Sequence, residues 1–190
     1  MTVAVIFDLD GVVWDLRPHI AAVLGLPADL VHRHLVGGGN VLHLARRCGV
    51  SAERLGHALA ERDGILVPDV LATLESLAQI GCHLAAATGL SRRLAGPIAA
   101  ATGLVDRFER IVTPGRGRHA KPAPDSLLVA AAGMDAQNYW YVGDTPSDAE
   151  AARAAGWQFV WASYGYGPRP PRYDAELAGF RDLPAAIGLP

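Results

Sequence analysis

The fold of this chain is decided by residues 3–15, which read VAVIFDLDGVVWD. Five apolar residues, most of them branched, are typical of a buried parallel strand, and two carboxylates, Asp8 and Asp10, follow where that strand should end. An unpaired charge beside a buried strand is costly. The pattern is compatible with a strand end that meets water, and equally with a metal or catalytic site at the carboxyl edge of a sheet.

Three later stretches carry side chains that phosphoryl chemistry would need. A second apolar run ends at Thr88 and Gly89, which offer a hydroxyl and an unobstructed backbone N–H to a phosphate oxygen. Lys121, in the run HAKPAP, is the only lysine among 17 lysine and arginine residues. A third apolar run ends in GDTPSD, which contains Asp144 and Asp148. Each stretch is weak evidence alone, but together they point to one site.

With these motifs in this order, the sequence resembles the haloacid dehalogenase superfamily, near its phosphoglycolate phosphatase and β-phosphoglucomutase branches. The resemblance covers nearly the whole chain. It implies an α/β fold: a Rossmann-like, doubly wound parallel sheet with strand order 5-4-1-2-3, the first strand central, and a small α-helical cap inserted between the first two motifs.

The resemblance also implies a Mg²⁺-dependent phosphatase that hydrolyses a small phosphomonoester through an aspartyl-phosphate intermediate. Asp8 would be the nucleophile, and Asp10 would protonate the leaving oxygen and later take a proton from the attacking water. Asp8, the backbone carbonyl of Asp10 and Asp144 would hold Mg²⁺, because hard cations prefer oxygen ligands.

Further residues are candidates for binding and orientation. Thr88, Gly89 and Lys121 would hold the phosphoryl group, and the lysine would also offset the charge of the nucleophile. Asp148 would orient Lys121 or a metal-bound water, or would only favour the dipole of its helix. Asn40 lies in a loop that meets the substrate in relatives, which makes it a candidate specificity residue.

Helical patterning with glycine punctuation fills residues 16–67, and helices and strands alternate from Pro68 onward. We therefore expect a core of residues 1–15 and 68–190 and a helical cap of residues 16–67. We predict five core strands, and we expect the glycine- and proline-rich loop at 164–171 to cross the surface rather than line the site. The predicted helices cover residues 19–24, 29–35, 41–48, 52–61, 69–79, 91–101, 125–132, 147–155 and 183–187, and the later strands cover 83–87, 110–113, 139–142 and 158–161.

The composition excludes several classes of protein. Of 190 residues 51% are hydrophobic, and 17 basic and 19 acidic side chains leave a net charge of -2 with no basic run, so no nucleic-acid polymer is expected as a partner. Asp8 and Asp10 interrupt the apolar N-terminus, and no window is long enough to span a bilayer, so we expect a cytoplasmic protein without membrane contact. Cys48 and Cys82 have no metal or redox spacing. The oligomeric state is left open, and a monomer is compatible with these features.

Two other functions stay open at this point. An isomerase like β-phosphoglucomutase shares all four motifs and differs only in the acceptor of the phosphoryl group. We favour hydrolysis because residues 36–40, VGGGN, offer no cation for a second phosphate. If the chain were a non-catalytic binding protein on the same fold, at least one of the four motifs should have lost a functional residue, and all four are intact.

Overall fold

The computed structural model of the chain describes residues 2–36 and 40–190, so the predicted glycine break at 37–39 lies outside the described residues. Its centre is one parallel sheet in the order β6-β5-β4-β1-β2-β3. The strands are β1 (Val3–Phe7), β2 (His83–Ala87), β3 (Arg110–Val112), β4 (Asn138–Gly143), β5 (Gln158–Ala162) and β6 (Ala175–Leu177).

The central position of β1 explains its unbroken apolar sequence. All five of its residues are buried, and Ile6 is in register with Ala85 of β2 on one side and Tyr141 of β4 on the other. The predicted doubly wound parallel sheet and the order 5-4-1-2-3 are confirmed. The predicted number of strands was wrong, because β6 adds a sixth beside β5; its three residues are too few to produce a recognisable period.

Helices cover both faces of the sheet. They are α1 (Arg17–Leu24), α2 (Ala28–Val36), α3 (Val41–Arg47), α4 (Ala52–Ala60), α5 (Val70–Gln79), α6 (Arg92–Ala101), α7 (Asp125–Ala130), α8 (Pro146–Ala155) and α9 (Leu183–Ala186). On one face, Val5 and Phe7 of β1 pack in a cluster that includes α5 and α6. On the other, Ala4 and Ile6 pack in a cluster that includes α7 and α8. No helix in the described ranges is long and apolar enough to cross a membrane.

Four helices, α1 to α4, lie between β1 and α5. The two chain segments that connect them to the sheet run side by side, because Trp14 forms an antiparallel bridge with Leu66. Helix α4 packs closely on α6: a Cβ at Gly56 would lie 2.8 Å from the carbonyl oxygens of Arg93 and Leu94. Only glycine allows this approach. The division into a core (1–15 and 68–190) and a cap (16–67) stays a prediction.

Candidate active site

The carboxyl ends of the central strands open onto one cavity of about 380 Å³. Of the polar or charged residues that are buried in the described part of the chain, all except Thr73 lie here: Asp8, Thr88, Asp144 and Asp148. Parallel strands end at the same edge of the sheet, so motifs far apart in sequence converge. The cavity lining contains these predicted site residues: Asp8, Asp10, Thr88, Gly89, Lys121 and Asp144.

Lys121 forms a buried network on one side of the cavity. Its Nζ lies 3.1 Å from Asp8 Oδ1 and 2.6 Å from Asp148 Oδ1, and it donates to the Tyr141 hydroxyl at 3.0 Å. Burial opposes the charged form of this lysine, but the charges of Asp148 and Asp8 outweigh burial and raise its pKa well above the usual value. The ammonium is therefore fixed beside the predicted nucleophile.

Asp148 lies beneath Lys121, and both of its oxygens are engaged. Oδ1 pairs with Lys121, and Oδ2 accepts hydrogen bonds from Thr145 Oγ1 at 2.6 Å and Thr145 N at 3.0 Å. Thr145 returns the bond by accepting from Asp148 N, which gives α8 a capping box. Burial raises the pKa of Asp148, but the charge of Lys121 and these hydrogen bonds outweigh it and hold the pKa below the usual range. The structure thus places Asp148 in direct contact with Lys121.

Asp8 and Asp144 have oxygens that remain open to a cation. Carboxylate oxygens of Asp8, Asp144 and Asp148 lie within 4.8 Å of one another. Asp8 Oδ1 is buried and accepts no hydrogen bond from the described residues, among which its one polar contact is the ion pair with Lys121. Burial raises the pKa of both Asp8 and Asp144 to about 7, and the charge of Asp148 adds to this effect.

This donor set fits a divalent cation. Three carboxylates and one ammonium leave two negative charges without a partner when all are ionised, and oxygen ligands suit a hard ion. Asp148 has both oxygens occupied, so Asp8 and Asp144 are the better ligands of the three. The predicted third ligand, the Asp10 carbonyl, receives no backbone hydrogen bond from the described residues.

Asp10 faces the other side of the cavity and meets Tyr166. The Tyr166 hydroxyl lies 2.6 Å from Asp10 Oδ1 and 3.1 Å from Asp15 Oδ1, and it accepts a hydrogen bond from Leu16 N at 2.8 Å. Burial raises the pKa of Asp10 to about 7, although the hydrogen bond from Tyr166 opposes this. For Asp15 burial acts in the same direction, but the hydrogen bonds and charge of Arg17 outweigh it and lower the pKa.

These contacts fix where a proton can lie. A phenol has one hydrogen and can donate it to only one of two carboxylates. Arg17 holds Asp15 in a fork, with Nε 2.9 Å from Oδ1 and an Nη 2.8 Å from Oδ2, so Asp15 is ionised and already paired, and the hydroxyl donates at its shorter contact, to Asp10 Oδ1. The hydrogen bond from Tyr166 occupies Oδ1 and leaves Asp10 Oδ2 as the oxygen that can carry a proton, which is the state a general acid needs.

The loop that contains Tyr166 was wrongly expected to cross the surface. The backbone N–H groups of Tyr166 and Gly167 donate to Asp144 Oδ2 at 2.7 and 3.2 Å. Gly165 packs so closely on Asp144 that a Cβ at this position would collide with it. Glycines on both sides of a tyrosine are the one signal in the sequence that could have indicated close backbone approach.

The remaining predicted residues divide into two groups. Thr88 and Gly89 lie in the cavity wall, where Thr88 Oγ1 accepts a hydrogen bond from Leu90 N at 3.2 Å. Asn40 is not brought to the cavity. Its Oδ1 accepts from Leu42 N at 2.8 Å and so caps the start of α3. The helices between β1 and α5 instead supply Leu35 and Val36 to the wall.

Comparison with known proteins agrees with this geometry. A sequence profile described as haloacid dehalogenase-like hydrolase matches residues 29–156. A phosphoglycolate phosphatase of Yersinia pseudotuberculosis serotype I is 32% identical over 98% of this chain and 93% of its own length. An N-acetylmuramic acid 6-phosphate phosphatase of Pseudomonas aeruginosa is 30% identical over 86% of this chain and 82% of its own length.

The fold is also that of a solved structure. A mutant of CbbY from Rhodobacter sphaeroides, in complex with xylulose-(1,5)bisphosphate, superposes with a TM-score of 0.74 at 20% identity and covers 95% of both chains. At this identity the likeness shows the fold alone. The family profile and the relatives that align over most of the chain are stronger evidence of kinship. Together with the four motifs gathered at one edge of the sheet, they show that this chain belongs to the haloacid dehalogenase-like hydrolase family.

Proposed function

We propose that this chain is a phosphatase that hydrolyses a small phosphomonoester in two steps, with Asp8 as the nucleophile and Asp10 as the general acid and base. The observation that carries the proposal is the contrast between the two carboxylates in one cavity: Asp8 lies beside a fixed ammonium, and Asp10 lies beside a hydroxyl. The relatives confirm the predicted enzyme class, a phosphomonoester hydrolase.

In the first step a carboxylate oxygen of Asp8 attacks phosphorus. The bond between phosphorus and the leaving oxygen breaks, and Asp10 donates its proton to that oxygen, so that an alcohol departs. Lys121 offsets the charge of Asp8 and of the phosphoryl oxygens, while the Thr88 hydroxyl and the Gly89 N–H bind those oxygens. The product of this step is an aspartyl-phosphate on Asp8.

In the second step water attacks the same phosphorus. Asp10, now ionised, takes a proton from the water, the bond between phosphorus and Asp8 breaks, and inorganic phosphate leaves. The two steps restore both carboxyl groups to their starting states. One residue thereby acts first as acid and then as base.

We propose Mg²⁺ as the metal, held by Asp8, Asp144 and the backbone carbonyl of Asp10. Bound there, a divalent cation supplies charge that offsets the repulsion between the phosphate and the carboxylates. The protein's own part is to hold these oxygens in place, which it does for Asp144 through the N–H groups of Tyr166 and Gly167.

The cavity wall favours a small substrate with one phosphate. Lys121 is the one cationic side chain among the described residues that line the cavity, and Asp8 and Asp148 already engage it. A second phosphate would find no charged partner, which favours hydrolysis over phosphotransfer through a bisphosphate. We also propose that residues 16–67 act as the cap, since Leu35 and Val36 supply apolar side chains to the wall.

The test is phosphate release by the purified protein. 2-Phosphoglycolate and N-acetylmuramic acid 6-phosphate are assayed first, as the substrates of the named relatives, with p-nitrophenyl phosphate as a generic ester. We expect phosphate release in Mg²⁺, loss of release in excess chelator, and recovery when Mg²⁺ is returned. Release that persists in chelator would contradict the metal. Conversion of glucose 1-phosphate to glucose 6-phosphate in the presence of catalytic bisphosphate, with little free phosphate, would identify a mutase instead.

A further inference from the structure

Tyr166 is a half-buried side chain in the cavity wall, and its hydroxyl has no part in the two steps above. Its hydroxyl is 2.6 Å from Asp10 Oδ1, across a sequence separation of 156 residues. Its backbone N–H donates to Asp144 at 2.7 Å. One residue therefore touches both the proposed acid and a proposed metal ligand, through different atoms.

We propose that Tyr166 is a positioning residue for Asp10. Its hydroxyl holds Oδ1 of the Asp10 carboxyl in place, which leaves Oδ2 as the oxygen that exchanges a proton with the leaving group and later with water. This inference rests on the proposed function, because it assigns Tyr166 a task only if Asp10 transfers a proton. A displacement of about 1 Å at a reacting group can lower a rate 100-fold, so loss of the contact that fixes the Asp10 carboxyl should lower the rate measurably.

The Tyr166 hydroxyl has two further polar contacts besides Asp10. Leu16 N donates to it at 2.8 Å, and Asp15 Oδ1 lies 3.1 Å away. Arg17 holds Asp15 in its fork and also lies over the tyrosine ring, 4.1 Å from the centroid. The chain of contacts from Arg17 through Asp15 and Tyr166 to Asp10 is thus anchored at the start of α1, away from the substrate.

A second tyrosine in the same loop provides a matched control. The Tyr164 hydroxyl donates to the carbonyl of Val12 at 2.9 Å and bonds to no carboxylate in the described part of the chain. Tyr164→Phe and Tyr166→Phe each remove one half-buried hydroxyl from the loop and keep the ring. A purely structural role for Tyr166 predicts that the two variants behave alike.

The experiment measures kcat/KM for a series of aryl phosphates whose leaving groups range from dinitrophenol to phenol. A good leaving group departs without a proton, whereas a poor one needs it. We expect Tyr166→Phe to lose about 10- to 100-fold on phenyl phosphate and only about twofold on dinitrophenyl phosphate. Tyr164→Phe should lose equally across the series. Equal losses for Tyr166→Phe would overturn the proposal.

A double variant separates positioning of Asp10 from any other effect. Asp10→Asn should show the steepest dependence on the leaving group, and adding Tyr166→Phe to it should not steepen the dependence further. A further loss of the same size in the double variant would contradict action through Asp10. If Tyr166→Phe proves unstable, Arg17→Met offers a second route: it releases Asp15 and should give the same change in weaker form, and a flat loss across the series would overturn the proposal.

Binding of Mg²⁺, followed by calorimetry, is the readout that does not depend on turnover. The N–H that holds Asp144 is retained in Tyr166→Phe, so the affinity for Mg²⁺ should match that of the wild type. A weakened affinity would show that Tyr166 acts on the metal ligands instead. Wild-type protein that releases no phosphate from any ester would refute the proposed function itself, which is a different result from an equal loss in the variant.

Discussion

Asp8 and Asp10 are two residues apart in the sequence, and the two sides of the cavity that receive them are built differently. The lysine half consists of Asp8, Lys121, Asp148 and Tyr141 and is held by buried ion pairs. The tyrosine half consists of Asp10, Tyr166, Asp15 and Arg17. There the carboxyl that lines the cavity meets a neutral hydroxyl, and the cation of Arg17 is connected to it only through Asp15 and Tyr166.

The difference matches the roles that we propose for the two carboxyls. A nucleophile has to be ionised, and an adjacent ammonium favours the charged form. A general acid has to hold a proton, so an adjacent ammonium would work against it, whereas a hydroxyl provides a hydrogen bond without a charge. Two identical side chains at the end of one strand can therefore take opposite roles because different parts of the chain fold against them.

The largest expected effect is on Asp8. Asp8→Asn keeps the volume and removes the nucleophile, so turnover should fall roughly 10⁶-fold, as for the loss of a nucleophile in other hydrolases. Without metal, the melting temperature should not fall, because Lys121 keeps its 2.6 Å partner Asp148 and one of three crowded negative charges is gone. Steady-state kinetics and thermal melts check both expectations.

The control for Asp8 is Asp135→Asn, which changes an exposed aspartate remote from the cavity and should leave turnover and melting temperature as they are. Substantial turnover in Asp8→Asn would mean that another group attacks phosphorus. A marked loss of thermal stability would mean that Asp8 stabilises the fold, and the contrast between the two halves would then need revision.

Apart from Tyr141, the residues of the lysine half were predicted from the sequence, whereas Asp10 was the only predicted residue of the tyrosine half. Asp8, Lys121 and Asp144 follow apolar runs or stand in a short motif, and parallel strands bring such positions together by rule. The contact between Tyr166 and Asp10 depends on a loop folding back over 156 residues, for which no periodicity exists. Loops take their conformation from tertiary packing, which sequence pattern does not report.

Asn40 and β6 are two further features that the local sequence pattern did not predict. Asn40 was proposed as a substrate contact because of its loop, but an asparagine directly before a helix is also a cap, and the structure uses it as one. Strand β6 is three residues long and follows a proline-rich stretch, so neither its length nor its neighbours indicate a strand. For both segments the local sequence is compatible with more than one structure, and tertiary packing selects the one that forms.

The next effect is expected from removal of the buried cation. Lys121→Met keeps the length of the stem and leaves Asp8 and Asp148 without a partner, so the free energy of unfolding should fall by about 3–5 kcal/mol. The value of kcat/KM should fall about 10²- to 10³-fold, because a charge aimed at the phosphoryl group is lost. Chemical denaturation and steady-state assays measure the two losses.

Mg²⁺ sharpens this prediction. In Lys121→Met the buried carboxylates have no cation, so added Mg²⁺ should raise the melting temperature of the variant more than that of the wild type. Arg153→Met, which removes an exposed cation from α8, is the matched control and should change neither stability nor the response to Mg²⁺. An equal response in Lys121→Met and the wild type would show that the lysine and the metal do not share the same negative charge.

The smallest effect is expected from Tyr141→Phe, the counterpart of Tyr166→Phe on the lysine side. The Tyr141 hydroxyl accepts from Lys121 Nζ at 3.0 Å and lies 3.3 Å from Asp148 Oδ1 and the Ala87 carbonyl. Phenylalanine keeps the ring that packs near the ammonium, 5.6 Å from its centroid. Loss of the hydroxyl should lower the free energy of unfolding by about 1 kcal/mol, the net value of one hydrogen bond.

Its kinetic signature matters more than its size. Tyr141 contacts the cation and does not contact Asp10, so Tyr141→Phe should lower kcat/KM by only about threefold, and by the same factor for every leaving group in the aryl phosphate series. Tyr166→Phe removes a tyrosine hydroxyl from the tyrosine half and should make kcat/KM depend more steeply on the leaving group. If Tyr141→Phe also steepens it, the proton on Asp10 is controlled from both sides of the cavity, and the division into two halves with separate tasks is wrong.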